Sequence, residues 1–196
     1  MVLTTKARVA EATLALLESG GPGAVSMRRV AEEIGVTPMT VYRHYRNREA
    51  LLNEVCEAAF AEAAATWQEY LGRGRASDRL AKAADRLLDF ALARPWLYRQ
   101  MFIERREGAR RFPDDFVAGR SPTGNLLAAI VDDGMRAGTL RPDDVWATAI
   151  TVAAQVHGLV ALYQCGRMGM AEAEFRDLCR ASVRRLLNGI AGRTRK

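Results

Sequence analysis

Twelve residues, Thr37 to Arg48, carry the densest chemistry in the chain: two tyrosines, one histidine and three arginines. Such a cluster is costly to bury, because each guanidinium would need a partner. Guanidinium and phenol groups donate hydrogen bonds to oxyanions, and arginine can pair in two-pronged fashion with a phosphate or with the edge of a guanine. The chemistry these residues suit is therefore non-covalent recognition of a polyanion. Catalytic patterns do not stand out. His44 and His157 are the only histidines. No Ser–His–Asp, Cys–His or paired-carboxylate spacing is evident, nor a phosphate-binding glycine loop or an HExxH pair. Cys56, Cys165 and Cys179 show no CxxC or zinc-type spacing and read as reduced thiols of a cytoplasmic protein. No catalytic residue, metal or cofactor is expected.

The 196 residues carry a formal net charge of +6, and 49% are hydrophobic, enough for a sizeable core. A basic balance favours an anionic partner without saying which kind. The charge is also not concentrated at the cluster: residues 1–55 hold seven Lys/Arg against six Asp/Glu. The tail from Arg180 is basic too. The N-terminal stretch is amphipathic and contains Glu11 and Glu18, so it does not read as a signal peptide. No apolar run approaches the ~18 residues of a membrane span.

The elements that must position the cluster are helices. Alanine and leucine abound, and strand alternation is missing, so an all-α fold is expected. Thr4 or Thr5 caps a first helix to about Ser19, stopped by Gly-Gly-Pro-Gly at 20–23. Ser26 caps a second through Ile34. Gly35 breaks the chain, and Thr37 caps a third helix of about two turns with Pro38 at its first position. Asn47 caps a long fourth helix to about Leu71. After a Gly/Arg break at 72–78, helices are expected at about 78–93, 96–107, 123–137, 143–166 and 171–190, with residues 108–122 irregular. The division reads as an N-terminal unit of residues 1–46 and a larger helical domain of residues 47–196.

Ala31, Gly35 and Val41 have the spacing of a helix-turn-helix. It needs a small residue where the helices cross, a turn residue tolerating positive φ, and an apolar lock on the second helix. With Val41 inward, Met39, Thr40, Tyr42 and Arg43 point outward, and Thr37, His44 and Tyr45 sit on the flanks. That face suits reading of a major groove. The run from Ala24 to Leu52, "AVSMRRVAEEIGVTPMTVYRHYRNREALL", resembles the TetR family of bacterial transcriptional repressors. The resemblance covers about residues 5–55, and "VHGLVALY" at 156–163 resembles a Trp-His-Gly segment of some members. It implies DNA contacts by Arg28, Thr37, Pro38, Met39 and Thr40. Tyr42 and His44 would touch phosphate or sugar, and Arg48, where the family usually has lysine, would grip a phosphate. Arg43 could donate two bonds to a guanine, for about 1–3 kcal/mol of discrimination. One two-turn helix reads few base pairs, so a homodimer on a palindromic operator is expected.

The last helix has one apolar stripe: Phe175, Leu178, Cys179, Ser182, Val183, Leu186, Leu187 and Ile190. The helix before it is apolar nearly all round and should be buried on more than one side. Two readings stand: a monomer core, or, preferred, a four-helix bundle formed with a second copy. In the middle helices, Trp67, Trp96, Met101, Phe102 and Met135, with His157 and Tyr163, are by default core. The resemblance implies a small-molecule pocket among them, with an unknown effector. Arg105, Arg106, Arg110 and Arg111 could attract an anion but read first as a solvated charge run. A ligand-responsive repressor is the reading. A helical adaptor without DNA binding and a helical enzyme are the alternatives.

Overall fold

The computed structural model describes residues 3–68, 72 and 74–192. The architecture is all-α, as expected. Ten α-helices are present among the described residues: α1 (Thr5–Gly20), α2 (Met27–Glu33), α3 (Pro38–Tyr42), α4 (Arg48–Gln68), α5 (Ala76–Ala93), α6 (Pro95–Phe102), α7 (Asp114–Val117), α8 (Pro122–Arg136), α9 (Val145–Gln164) and α10 (Glu172–Ile190). A 3-10 turn occupies Pro22–Ala24. The expected end of α4 at Leu71, and the basic residues Arg193, Arg195 and Lys196, lie outside the described residues. The chain forms two compact units. One comprises residues 1–61 and 93–109, the other residues 62–92 and 110–196.

In the first unit, local signals act where the sequence places them. The Thr4 hydroxyl accepts the Ala7 N–H at 3.3 Å, and Ser26 accepts that of Arg29 at 3.2 Å. Gly21 ends α1 at φ +69°, and a Cβ there would meet the Trp96 indole at 2.9 Å. Gly35 adopts φ +68°, which lets the Val36 N–H reach the Ala31 carbonyl at 2.9 Å. Val30, Ala31 and Val41 are fully buried, so the small crossing residue and the apolar lock behave as read. Asn47 Oδ1 caps α4 by accepting the Ala50 N–H at 2.8 Å. Leu17, Leu51, Val55, Leu97 and Tyr98 complete the core.

Three local expectations need correction. α3 is a five-residue helix rather than two full turns; Arg43 keeps helical dihedrals, and the last helical bond runs from the Tyr45 N–H to the Val41 carbonyl at 3.0 Å. The Thr37 side chain does not cap it: its hydroxyl pairs instead with that of Thr40 at 3.1 Å. The helix expected to reach residue 107 stops at Phe102, and residues 103–109 run without regular structure.

The second unit packs α8 on α9 and α9 on α10. Helix α5 contributes Leu80, Ala84, Leu87, Leu88 and Ala91 to its interior. Asp144 caps α9 by accepting the Ala147 N–H at 2.6 Å. Gly134 is required for close packing, since a Cβ there would stand 2.6 Å from the Ala76 Cβ. Arg180 on α10 pairs with Asp85 on α5 at 3.0 Å.

Helix α9 departs from expectation twice. It has 20 residues with a mean hydropathy of 1.6, so by length and composition it could cross a membrane, contrary to the reading that no run approaches that length. Threonine, glutamine, histidine and glycine interrupt the run without lowering its mean enough. It is also not enclosed on several sides: only 28% of that apolar window is buried in the chain. Thr148, Ala149, Val152, Val156 and Val160 form the buried stripe. Ala147, Thr151, Ala154, Gly158 and Leu162 form an exposed row on another side. On α10, Phe175, Cys179, Val183 and Leu187 are buried, while Leu178, Ser182, Leu186 and Ile190 are half-buried.

Candidate nucleic-acid interface

Burial of Val41 sets the orientation of α3. At 100° per residue the neighbours of a fully buried residue turn outward, and they do. Met39 is 65% exposed and Tyr42 50%. Thr37, Pro38, Arg43 and His44 are exposed, and Thr40 is half-buried. A methionine and a tyrosine left this open have lost apolar burial without an internal gain. Arg43 makes no ion pair or side-chain hydrogen bond among the described residues. A long cation thus projects from the centre of the face. Arg28 on α2 is also open, tied only to Glu32 four residues on at 2.8 Å. Such an exposed pair is worth less than about 1 kcal/mol and opens readily toward a stronger anion.

Two residues of the cluster turn inward. Tyr45, read as flanking, is buried at 4% exposure. Lys6 Nζ lies 5.8 Å from its ring centroid, and Lys6 is held to Glu54 at 2.9 Å. Burial, with Glu54 close by, raises the pKa of its phenol well above the usual range, so it stays neutral. Tyr45 follows Val41 by four residues and its N–H bonds the Val41 carbonyl at 3.0 Å, so helical periodicity carries it to the same inward side. Arg48 is committed at the other edge. Its Nε donates to the Val25 carbonyl at 2.9 Å and one terminal nitrogen donates to the Pro22 carbonyl. Arginine in place of lysine here fastens the turn before α2 to the start of α4, a job that requires a forked donor. The outer side of the same guanidinium stays exposed.

Arg46 pairs with Glu107 at 2.8 Å, and the Glu107 carbonyl accepts from Asn53 Nδ2 at 2.8 Å. The segment after α6 is therefore bonded to the residues that follow α3. Sequence reasoning missed this segment. Its Arg106, read as part of a solvated run, is 8% exposed. The guanidinium lies 3.4 Å from Glu57 and 3.3 Å from Asn53, and 5.6 Å from the Phe60 ring centroid. The available signal was Asn53 and Glu57, one turn apart on α4, which offer two acceptors on one side of the helix.

The seven residues considered for a pocket are divided. Trp96, Met101 and Phe102 belong to the first unit, and Trp67, Met135, His157 and Tyr163 to the second. Trp96 packs against Gly21, Met101 is buried, and the Phe102 ring meets Phe60 at 5.1 Å and Tyr98 at 5.3 Å. Tyr163 stacks on Phe175 at 4.1 Å with rings nearly parallel. Trp67 lines a cleft with Thr123 and Ile130 of only about 10 Å³, room for one water at most. Met135 and His157 are half-buried. Desolvation pushes the His157 pKa down to about 4, so its imidazole is neutral near pH 7.

Residues 9–55, which span this interface, match the family described as bacterial regulatory proteins of the tetR family. Residues 80–186, more than half of the chain, match the C-terminal domain described as tetracyclin repressor-like. The chain belongs to the TetR family of transcriptional regulators. Among TetR relatives, the tetracycline repressor of class A from transposon 1721 of Escherichia coli is 30% identical over 102 residues. That match spans 52% of this chain and 42% of that repressor, so less than half of the relative's length is covered. A protein of unknown function from Rhodococcus sp. RHA1 superposes with a TM-score of 0.81 at 25% identity, covering 97% of both chains. The regulator FadR from Bacillus subtilis, solved with stearoyl-CoA, gives 0.75 at 16% identity over 94% of this chain and 98% of its own. A TetR family regulator from Marinobacter aquaeolei VT8 gives 0.70 at 21% identity over 96% of both. The last two likenesses concern the fold alone.

Proposed function

We propose that this TetR regulator is a cytoplasmic repressor that binds a palindromic operator as a homodimer and is released by a small molecule. The observation that carries the DNA reading is the outward face of α3, where Met39, Tyr42, Arg43 and His44 are exposed around fully buried Val41. Thr37, Pro38, Met39, Thr40 and Arg43 read base edges. Arg28, Tyr42, His44 and the outer side of Arg48 hold the backbone, which positions the helix without selecting sequence. Five helical residues reach few base pairs, so two copies are required, about 34–36 Å apart or a multiple of it.

The second copy docks on α9 and α10. The uncovered row Ala147, Thr151, Ala154, Gly158 and Leu162 consists mostly of small residues, which let a partner helix approach closely. The half-buried row of α10 supplies the apolar flank. This reading also accounts for a long apolar helix so little covered by its own chain. The effector side is proposed from Trp67, Met135 and His157 of the second unit. α4 starts beside the reader, and from Glu62 onward belongs to that unit, so an effector that favours another α4 setting lowers DNA affinity by population shift.

Footprinting the purified protein on DNA flanking its own gene tests the reading. The expected result is a two-fold symmetric protected site, lost with Tyr42→Ala and Arg43→Ala, and affinity that falls steeply with salt. Absence of a protected site together with salt-insensitive duplex binding would refute it. Leu162→Arg should give a monomer by sedimentation with much weaker operator binding.

A further inference from the structure

A cleft of about 490 Å³ lies within the first unit, between the first two turns of α4 and the end of α6. Its volume falls in the range of small-molecule sites. Its lining is unlike a hydrophobic effector pocket. Gln100 and Arg106 line it and are only 6% and 8% exposed, although both are polar. Arg48 and Arg105 line it as well.

The donors here outnumber the acceptors. Arg48 spends its hydrogen bonds on two backbone carbonyls, which satisfy N–H groups but carry no formal charge. Arg106 bonds Glu57 through both terminal nitrogens at 3.4 Å and Asn53 at 3.3 Å, while its Nε is closed to solvent and has no acceptor. Glu104 on the rim is drawn to Arg99 at 3.1 Å. The lining holds three guanidinium groups (Arg48, Arg105, Arg106) and two carboxylates (Glu49, Glu104), which leaves one positive charge in excess. The positive end of the 21-residue α4 opens on the same cleft.

We propose that this cleft binds a small oxyanion, the phosphate or carboxylate of a free metabolite, through Arg105, Arg106 and Gln100. An oxyanion beside exposed Arg105 supplies a counter-charge where the lining holds one cation more than its carboxylates. The free molecule rather than a DNA backbone phosphate is the fitting occupant. The two groups that define the floor are more than nine-tenths buried, while the phosphates of a duplex lie on exposed ridges. The residue after Arg106 is Glu107, which holds Arg46, so occupancy acts on the segment bonded to the residues that follow α3.

Calorimetric titration of the full chain in chloride buffer, without DNA, tests the proposal with pyrophosphate and citrate as separate probes. The expected result is one saturable site per chain for at least one probe, weakened at least about tenfold by Arg105→Ala and by Arg106→Met. Arg180→Ala, which removes the same charge from α10, should leave it unchanged. If Arg106→Met fails to fold by circular dichroism, exposed Arg105→Ala decides alone. No saturable binding of either probe up to about 10 mM, or equal weakening by Arg180→Ala, overturns the proposal. So does a loss of random-sequence duplex binding by Arg105→Ala as large as the loss of pyrophosphate binding, since the cleft would then be part of the DNA surface.

Discussion

His157 should make stability depend on pH between about 6.5 and 4. Its pKa is about 6.5 in an unfolded chain and is pushed down to about 4 in the fold by desolvation. Both states are neutral above the unfolded value, so there the imidazole adds no slope. As pH falls below it, the unfolded chain takes up a proton that the folded chain refuses, and folding stability is lost. The loss ends below the folded pKa, where both forms are protonated. At about 1.36 kcal/mol per unit over this interval, the total reaches at most about 3 kcal/mol. His157→Gln removes the proton-binding group from both states. The assay is urea unfolding of both proteins at fixed protomer concentration from pH 7.5 to 4, since dimerisation would make stability concentration-dependent. The difference between the two curves should be flat near pH 7 and shift by about 2–3 kcal/mol against the wild type on acidification. In a His44→Gln background a single imidazole Hε1 signal remains in NMR, and it should report a neutral ring down to about pH 4. A difference curve that does not change with pH, or an imidazole that titrates near 6.5, would refute the claim that the fold desolvates this group.

Further outcomes follow from the same geometry. Cys165 is exposed, whereas Cys56 and Cys179 are buried with thiol pKa values pushed up to about 11, so in the Leu162→Arg monomer an aromatic disulfide reagent should label one thiol fast and two only on unfolding. Gly35→Ala meets no atom within 4 Å but must hold φ +68°, and should cost about 1–2 kcal/mol by chemical denaturation. Gly134→Ala would place a methyl 2.6 Å from Ala76 and should cost about 1–3 kcal/mol, while Gly23→Ala, in open space, serves as the near-neutral comparison. Arg28→Ala should change stability by less than about 1 kcal/mol, yet reduce the salt slope of duplex binding by about one unit.

The sequence by itself determined what depends on short range. The spacing of Ala31, Gly35 and Val41, the caps Thr4, Ser26 and Asn47, and the outward Met39, Tyr42 and Arg43 were legible because helix periodicity and capping act within a few residues, although Thr37, read as a cap by the same rule, bonds Thr40 instead. Tertiary structure alone decided what depends on neighbours distant along the chain. Tyr45, one turn beyond Val41 and so on its inward side, gained Lys6 against its ring and Glu54 beside its phenol. Arg48 became a clamp because carbonyls 23 and 26 residues earlier came within reach. Arg106 left the solvent because α4 presented Asn53 and Glu57 beside the Phe60 ring. The burial of a charged group reflects a balance between desolvation and partners, and partners some 50 residues away are brought together only when the chain has folded.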